Sequence, residues 1–298
     1  MMFRQSVKQF QSALFLVLLL FLIPNSKAQT LLPTPSPTPR PSSSPTLEHE
    51  FFKNILHDQK AIWTSPFHLS SRDVRWIAPL GLGTAALITT DRQTAGEVSE
   101  FGEASNASKA VSFIGSLYST SAIAGSFYLF GRARHNARAR ETGLLAAEAL
   151  INGEIVSLSL KAITQRARPR AGEERGEFFE GGTSFPSGHS IQAWTVATVI
   201  AHEYSDHRSV QIAAYATAAA VSVSRFTGRN HFLSDILVGS AMGYGIGRYV
   251  YKTHHTKSSS TDDDEEEAAF ERSRRWPSIA PLYSRSSRVY GVAGSWSF

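Results

Sequence analysis

Between about residue 48 and residue 251 the chain is a succession of apolar stretches at helical spacing, and this pattern limits the fold more than any other feature. No stretch in this part alternates apolar and polar residues as a half-buried strand would. Ala, Ser, Thr and Gly are frequent in the apolar stretches, which lets neighbouring helices pack closely. Helices are predicted near 47–63, 74–90, 110–131, 142–162, 188–203, 209–225 and 232–251. We therefore predict an all-α fold, a helical bundle of about six core helices.

The sequence on either side of this bundle has a different character. Residues 1–28 have the pattern of a signal peptide, with Arg4 and Lys8 ahead of a short apolar core and small residues at the cleavage position. An uncleaved membrane anchor would show the same pattern. Residues 29–47 are a Pro/Ser/Thr-rich linker, which favours an extended spacer. The helical domain is placed at 48–256, with its motif core at 144–251. A polar tail follows at 257–298, with a solvated acidic run at 262–267 and an aromatic end that suits a short strand.

The composition excludes several kinds of chemistry. The 298 residues contain no Cys, so disulfides, thiol catalysis and Cys-ligated metals are excluded. The formal net charge is +5, which favours anionic partners such as phosphates or an anionic membrane surface. We expect no nucleic-acid partner.

Lys161, Arg168 and Pro169 form the first of three polar clusters. Lys161 and Arg168 are two helical turns apart, so on a helix both cations would point to one face. Pro169 then favours an exit from the helix. Two cations on one face suit a multiply charged anion, although a solvated basic end of a helix would contain the same residues.

Pro186, Ser187, Gly188 and His189 form the second cluster, at the predicted start of the helix at 188–203. The free N–H groups of a first helical turn bind anions, and a Gly lets backbone and ligand approach closely. Ser187 adds a hydroxyl donor, and His189 adds a group that exchanges protons near neutral pH. An ordinary helix start would also account for these residues.

Ser224, Arg225, His231 and Asp235 form the third cluster. His231 and Asp235 are four residues apart, so on a helix the carboxylate would orient one ring nitrogen and leave the other free as a nucleophile. Arg225 offers a bidentate contact to phosphate oxygens. A surface salt pair beside a loop is the alternative interpretation.

Together, the three clusters closely resemble the motifs of the type 2 phosphatidic acid phosphatase (PAP2) and vanadium haloperoxidase superfamily. Every motif position of that superfamily has its expected residue, in the expected order. The matching positions are Lys161, Arg168, Pro169, Pro186, Ser187, Gly188, His189, Ser224, Arg225, His231 and Asp235. The resemblance covers about 144–251 directly and favours the phosphatase branch, because the haloperoxidases are usually much longer chains.

The resemblance implies a metal-independent phosphatase that hydrolyses a phosphomonoester or diphosphate, on a lipid or a small exported ester, through a phosphohistidine. His231 would be the nucleophile, Asp235 would orient it, and His189 would act as general acid and then as general base. The phosphate would be bound by Lys161, Arg168, Ser187, Gly188 and Arg225. No metal or other cofactor is implied, since fixed cations neutralise the phosphate.

Two other functions are compatible with the motifs. A haloperoxidase would hold vanadate in the same site, and an inactive member would bind phosphate or lipid without turnover. The superfamily includes membrane-spanning lipid phosphatases and soluble exported acid phosphatases. The segment at 110–131 is long enough to span a bilayer, but the uncharged stretches after His189 and Asp235 are short. We expect an exported, periplasmic bundle, with an integral inner-membrane enzyme whose site faces outward as the alternative.

Overall fold

The computed structural model describes residues 47–100, 106–169, 176–274, 278–284 and 289–295. Within these ranges eight α-helices are followed by one β-hairpin. The helices are α1 (Leu47–Thr64), α2 (Ser71–Glu100), α3 (Asn106–Ile114), α4 (Leu117–Arg134), α5 (Ala137–Thr164), α6 (Gly188–Glu203), α7 (Arg208–Thr227) and α8 (Leu233–Arg274). The strands β1 (Ser278–Ser284) and β2 (Val289–Ser295) pair antiparallel. The all-α class is confirmed. The signal-peptide prediction and the linker up to residue 46 lie outside the described residues.

Helix α6 is the central element of the bundle. It packs against α5, α7 and α8, while α4 packs along α5. The main apolar core is formed by buried side chains of these helices, among them Leu145, Val156, Val196, Val199 and Val250. Because α6 is surrounded by three other helices, its N-terminus is held inside the protein, where a ligand group can be shielded from water.

Two helices differ from the predicted ranges. The predicted helix at 110–131 is divided into α3 and α4, because Ser116 has an extended backbone and its hydroxyl accepts a hydrogen bond from the Ser119 N–H to cap α4. The uncharged stretch therefore does not form one continuous span. Helix α8, predicted to end at residue 251, continues to Arg274. The polar tract at 252–274 contains neither Gly nor Pro, so its composition does not stop a helix.

Among the described helices, α5 is long and apolar enough to cross a membrane. A little over half of its apolar stretch is buried in the bundle. Its outer face carries Ile151, Ile155 and Leu158, and Leu158 is 56% exposed. Length and composition alone do not distinguish a membrane span from the buried core helix of a soluble protein. The exposed apolar side chains of α5 are the additional observation, because a helix of a soluble core would bury them.

Candidate active site

The loop between α5 and α6 folds back on the end of α5. Gln165, with a left-handed backbone (φ 45°), ends the helix. The Ser184 N–H then donates to the carbonyl of Arg166 at 2.9 Å, which returns the chain to the end of α5. The prediction that Lys161 and Arg168 lie on one helical face is wrong, because the helix ends between them. Arg168 instead reaches the site from the loop.

The second cluster lies at the start of α6, which begins at Gly188 as predicted, with Ser187 as the N-cap. A Cβ on Gly188 would lie 2.8 Å from Nζ of Lys161, so only Gly allows the ammonium to approach this closely. The Ser187 N–H donates to the carbonyl of Asp235 at 3.1 Å. The Ser187 hydroxyl is buried and accepts a hydrogen bond from Ser190 at 3.1 Å. The three clusters therefore meet at the N-terminus of α6.

His231 is buried, and a backbone carbonyl fixes its ring. Its Nδ1 lies 2.7 Å from the carbonyl oxygen of Ser184 and 3.7 Å from Oδ2 of Asp235. Since a carbonyl only accepts, Nδ1 carries the proton and Nε2 keeps the lone pair that a nucleophile needs. His231 and Asp235 lie within ion-pair range of each other, but the expectation that both belong to one helix is wrong. His231 precedes α8, Asp235 lies in its first turn, and the carboxylate is beyond hydrogen-bond distance from the ring.

The Asp235 carboxylate is bound by other donors. Oδ1 accepts from Nη1 of Arg166 at 2.6 Å, and Oδ2 accepts from the Ser184 hydroxyl at 2.6 Å and the Phe232 N–H at 2.9 Å. The last bond is the reach-back contact of a helix capping box. Ser184 thus bonds the carboxylate through its hydroxyl and His231 through its carbonyl. Asp235 positions the imidazole chiefly through Ser184.

Arg166 is a residue of this site that sequence reasoning missed. It is fully buried, and it donates from Nη2 to Asp91 of α2 at 2.8 Å and from Nη1 to the Ser234 hydroxyl at 2.7 Å. The ring centroids of Phe178 and Phe232 lie 4.9 Å and 4.3 Å from its guanidinium carbon. Arg166 lies between the motif cations Lys161 and Arg168, and that position is the one signal in the sequence that could have identified it. Its partner Asp91 could not be found in the same way, because it is 75 residues away in the chain.

Five of the predicted residues lie within electrostatic range of one another. Burial, and then the charges of Arg225, His231, Lys161 and Arg168, lower the pKa of His189 to about 3. Burial also lowers the pKa of Lys161. It lowers the pKa of His231 as well, although the nearby Asp235 carboxylate acts in the opposite direction. In the absence of a bound anion His189 is therefore neutral, and the site carries excess positive charge.

A cavity of about 330 Å³ opens beside His189. Its wall consists of Ser108, Lys109, Ser112, Phe113, Ser116, His189, Ser224, Arg225, Gly228 and Asn230. The Ser112 hydroxyl accepts a hydrogen bond from Arg225, which joins α3 to the third cluster. Helix α3, which no motif connected to the site, therefore supplies four of the ten wall residues, and one of them is a further cation, Lys109.

Comparison with known proteins gives a family match over the same region. Residues 142–259 match the family model described as the PAP2 superfamily. Over 69 residues the chain is 35% identical to Lipid A 1-phosphatase of Porphyromonas gingivalis, a match that covers 23% of this chain and 16% of that protein.

Two crystal structures resemble this chain. LpxE of Aquifex aeolicus is 22% identical, with a TM-score of 0.40 over 49% of this chain and 83% of that one. The first transmembrane PAP2 type phosphatidylglycerolphosphate phosphatase from Bacillus subtilis is 21% identical, with a TM-score of 0.46 over 70% and 95% of the two chains. The family match runs from within α5 into α8 and contains all three motif clusters. Residues 142–259 are therefore similar to the PAP2 superfamily.

Proposed function

We propose that this chain is a phosphatase that removes a terminal phosphate from a lipid, through a phosphohistidine at His231 and without a metal ion. One observation carries the proposal. Lys161, Arg168, Arg225 and His189 converge on a buried His231 whose Nδ1 is held as a hydrogen-bond donor. Three fixed cations can neutralise a phosphate group without help from a metal, and they are in place before the reaction begins.

In the first step, Nε2 of His231 attacks the phosphorus, and the bond from phosphorus to the ester oxygen breaks. The leaving alkoxide takes a proton from His189. Burial and the neighbouring cations hold the pKa of His189 at about 3 while no anion is bound. A bound phosphate offsets those charges, so we expect His189 to gain the proton that it delivers only when substrate is present.

In the second step, water attacks the phosphorus of the phosphohistidine, and the bond from phosphorus to Nε2 breaks. His189, neutral after giving up its proton, takes a proton from that water. Inorganic phosphate leaves and His231 regains its lone pair. The Ser187 hydroxyl and the Gly188 N–H, at the start of α6, would bind the phosphate oxygens together with the three cations.

A panel of substrates tests both the reaction and the lipid class. With EDTA present, we expect phosphate release from micellar phosphatidate, lipid A or a prenyl diphosphate. The kcat/KM should exceed that for soluble glycerol phosphate at least about 100-fold, because each buried methylene contributes ~0.8 kcal/mol. Equal rates on lipid and soluble esters would contradict the lipid class. Loss of activity in EDTA while the chain remains folded, as checked by circular dichroism, would contradict the metal-free mechanism. Vanadate-dependent bromination would instead support the haloperoxidase alternative.

We further propose that the exposed apolar face of α5 associates with the membrane that contains the lipid substrate. Ile155 and Leu158 lie on this face, and Trp76 of α2 is 81% exposed. We expect the full-length protein to stay with membranes through a carbonate wash, and an Ile155→Glu/Leu158→Glu variant to be released. Both positions are exposed, so the variant should fold. If the variant also pelleted, and N-terminal sequencing showed that residues 1–28 had been removed, attachment through this face would be wrong.

A further inference from the structure

A buried group of three ligating side chains lies outside the active site, where α1, α5 and α8 meet. Asp58, Glu148 and His254 are each at most 1% exposed. Glu148 precedes Lys161 by 13 residues on α5, which at 1.5 Å per residue places it about 20 Å from the phosphate site. The proposed phosphatase mechanism uses none of these residues, so their presence in the core needs a separate explanation.

The geometry of this group brings three ligand atoms together. Nε2 of His254 lies 3.0 Å from Oδ1 of Asp58 and 3.0 Å from Oε1 of Glu148. Adjacent ligands of a tetrahedral zinc ion, with bonds of about 2.0–2.1 Å, lie about 3.3 Å apart. All three atoms lie within 4.8 Å of one another, close enough to share one cation after local adjustment.

The carboxylate of Glu148 is the feature that points to a ligand. It is fully buried, and within the described part of the chain neither of its oxygens has a hydrogen bond of its own, since the nearby Nε2 of His254, 3.0 Å from Oε1, bonds to Asp58. One imidazole N–H cannot satisfy two carboxylates, and a buried carboxylate without donors is costly. A divalent cation would contact all three side chains at once and balance the two negative charges.

The surroundings of Asp58 resemble the outer shell of a metal site. Nδ2 of Asn152 donates to Oδ2 of Asp58 at 3.0 Å, which leaves Oδ1 directed toward His254. Nε2 of Gln59 in turn donates to Oδ1 of Asn152 at 2.8 Å. Such outer hydrogen bonds orient ligating carboxylates. The neighbouring His255, with Glu141 and Glu203, forms a similar group, but its imidazole is 35% exposed and is within reach of water.

From this arrangement we infer that Asp58, Glu148 and His254 bind a structural zinc ion that joins α1 to α5 and α8. Imidazole nitrogen and carboxylate oxygen both bind zinc, a water would fill the fourth tetrahedral position, and the charges of Zn²⁺ and two carboxylates cancel. Because the site lies in the core and away from the phosphate pocket, its role is to stabilise the fold. The proposal does not depend on the phosphatase activity.

The test compares metal content and thermal unfolding of the tag-free, full-length chain. After incubation with zinc and removal of excess metal, we expect wild type to retain one zinc ion per chain. Chelation should lower its unfolding midpoint by at least about 5 °C, since a ligand that binds only the folded state stabilises it. Glu148→Gln and Asp58→Asn, which preserve shape, should retain less than about a tenth of the zinc and show no effect of chelation.

Two matched variants act as controls. His57→Gln removes an exposed imidazole from α1, and His255→Gln removes the imidazole of the neighbouring group; both should retain the wild-type amount of zinc. Two results would overturn the inference. One is a wild-type chain that retains no zinc and shows no midpoint shift in excess zinc, which would mean that protons alone balance the cluster. The other is loss of zinc from His255→Gln with full retention by Glu148→Gln and Asp58→Asn.

Discussion

A His231→Ala variant is expected to lose at least about four orders of magnitude in kcat for phosphate release, because no other group would form the bond to phosphorus. Lipid binding should change little, since Lys161, Arg168 and Arg225 remain. His231 is buried, so circular dichroism and the unfolding midpoint must first establish that the variant folds. Phosphate release by the substrate panel, measured against wild type, is the primary readout. A folded variant with full activity would refute the mechanism.

A second variant makes the covalent intermediate visible. His189→Ala should be slow in the second step, because the water then lacks a base. With an aryl phosphate, whose leaving group needs no proton, the first step should proceed and phosphohistidine should accumulate. Rapid quenching at alkaline pH with labelled substrate would detect it. The double variant His189→Ala/His231→Ala is the matched control and should give no label, whereas label on another residue would contradict the assignment.

Replacing Arg166 is expected to damage both stability and turnover, although it touches no substrate in our mechanism. An Arg166→Met variant would leave Asp91 and Asp235 buried without their counterion, at a cost of about 3–5 kcal/mol. The displaced Asp235 and Ser184 would then release the His231 ring. We expect kcat to fall about 100-fold with little change in KM, because binding by the phosphate-site cations is retained. Denaturant unfolding and steady-state kinetics measure the two effects.

Arg92→Met is the matched control for Arg166. Arg92 of α2 also pairs with an acid of the α5–α6 loop, Glu177, but both side chains are largely exposed. Exposed pairs contribute at most about 1 kcal/mol, so this variant should remain close to wild type in stability and kcat. Arg166→Lys keeps the positive charge but lacks the planar guanidinium with its several donors. Compared with Arg166→Met, it should recover part of the lost stability and a smaller part of the lost kcat. If Arg166→Met matched Arg92→Met in both measurements, the positioning role would be refuted.

The sequence allowed a good prediction of the central part of the fold. Helix α6 was predicted at 188–203 and spans those residues, since a capping segment starts it and its apolar run is continuous. The break at Ser116, which divides the predicted helix at 110–131, was missed. A Ser within an uncharged stretch can lie inside a helix or cap the N-terminus of a new one, and the sequence does not distinguish the two. The extension of α8 was missed because its residues are mostly polar, so apolar residues do not recur at helical spacing there. The same residues are nevertheless compatible with a helix.

The sequence identified most residues of the candidate site, but it did not show which of them contact one another. Motif spacing selected Lys161, Arg168 and His231, and the structure brings them together. Helical spacing then gave the wrong geometry, because Gln165 ends α5 and His231 precedes α8. The contact from Arg166 to Asp91 joins residues far apart in the chain. Such contacts arise from the packing of α2 against α8, which no local pattern reveals.

The buried network behind His231 has a consequence for the reaction. Asp91 and Asp235 carry two negative charges against the single positive charge of Arg166, and Asp235 lies on the Nδ1 side of the ring. In the proposed mechanism the phosphate-binding cations act on the Nε2 side. The imidazole would therefore sit in a fixed electric field directed along the line of attack. Because the ring becomes cationic when phosphorus bonds to Nε2, this field would favour the covalent intermediate and lower the barrier to its formation.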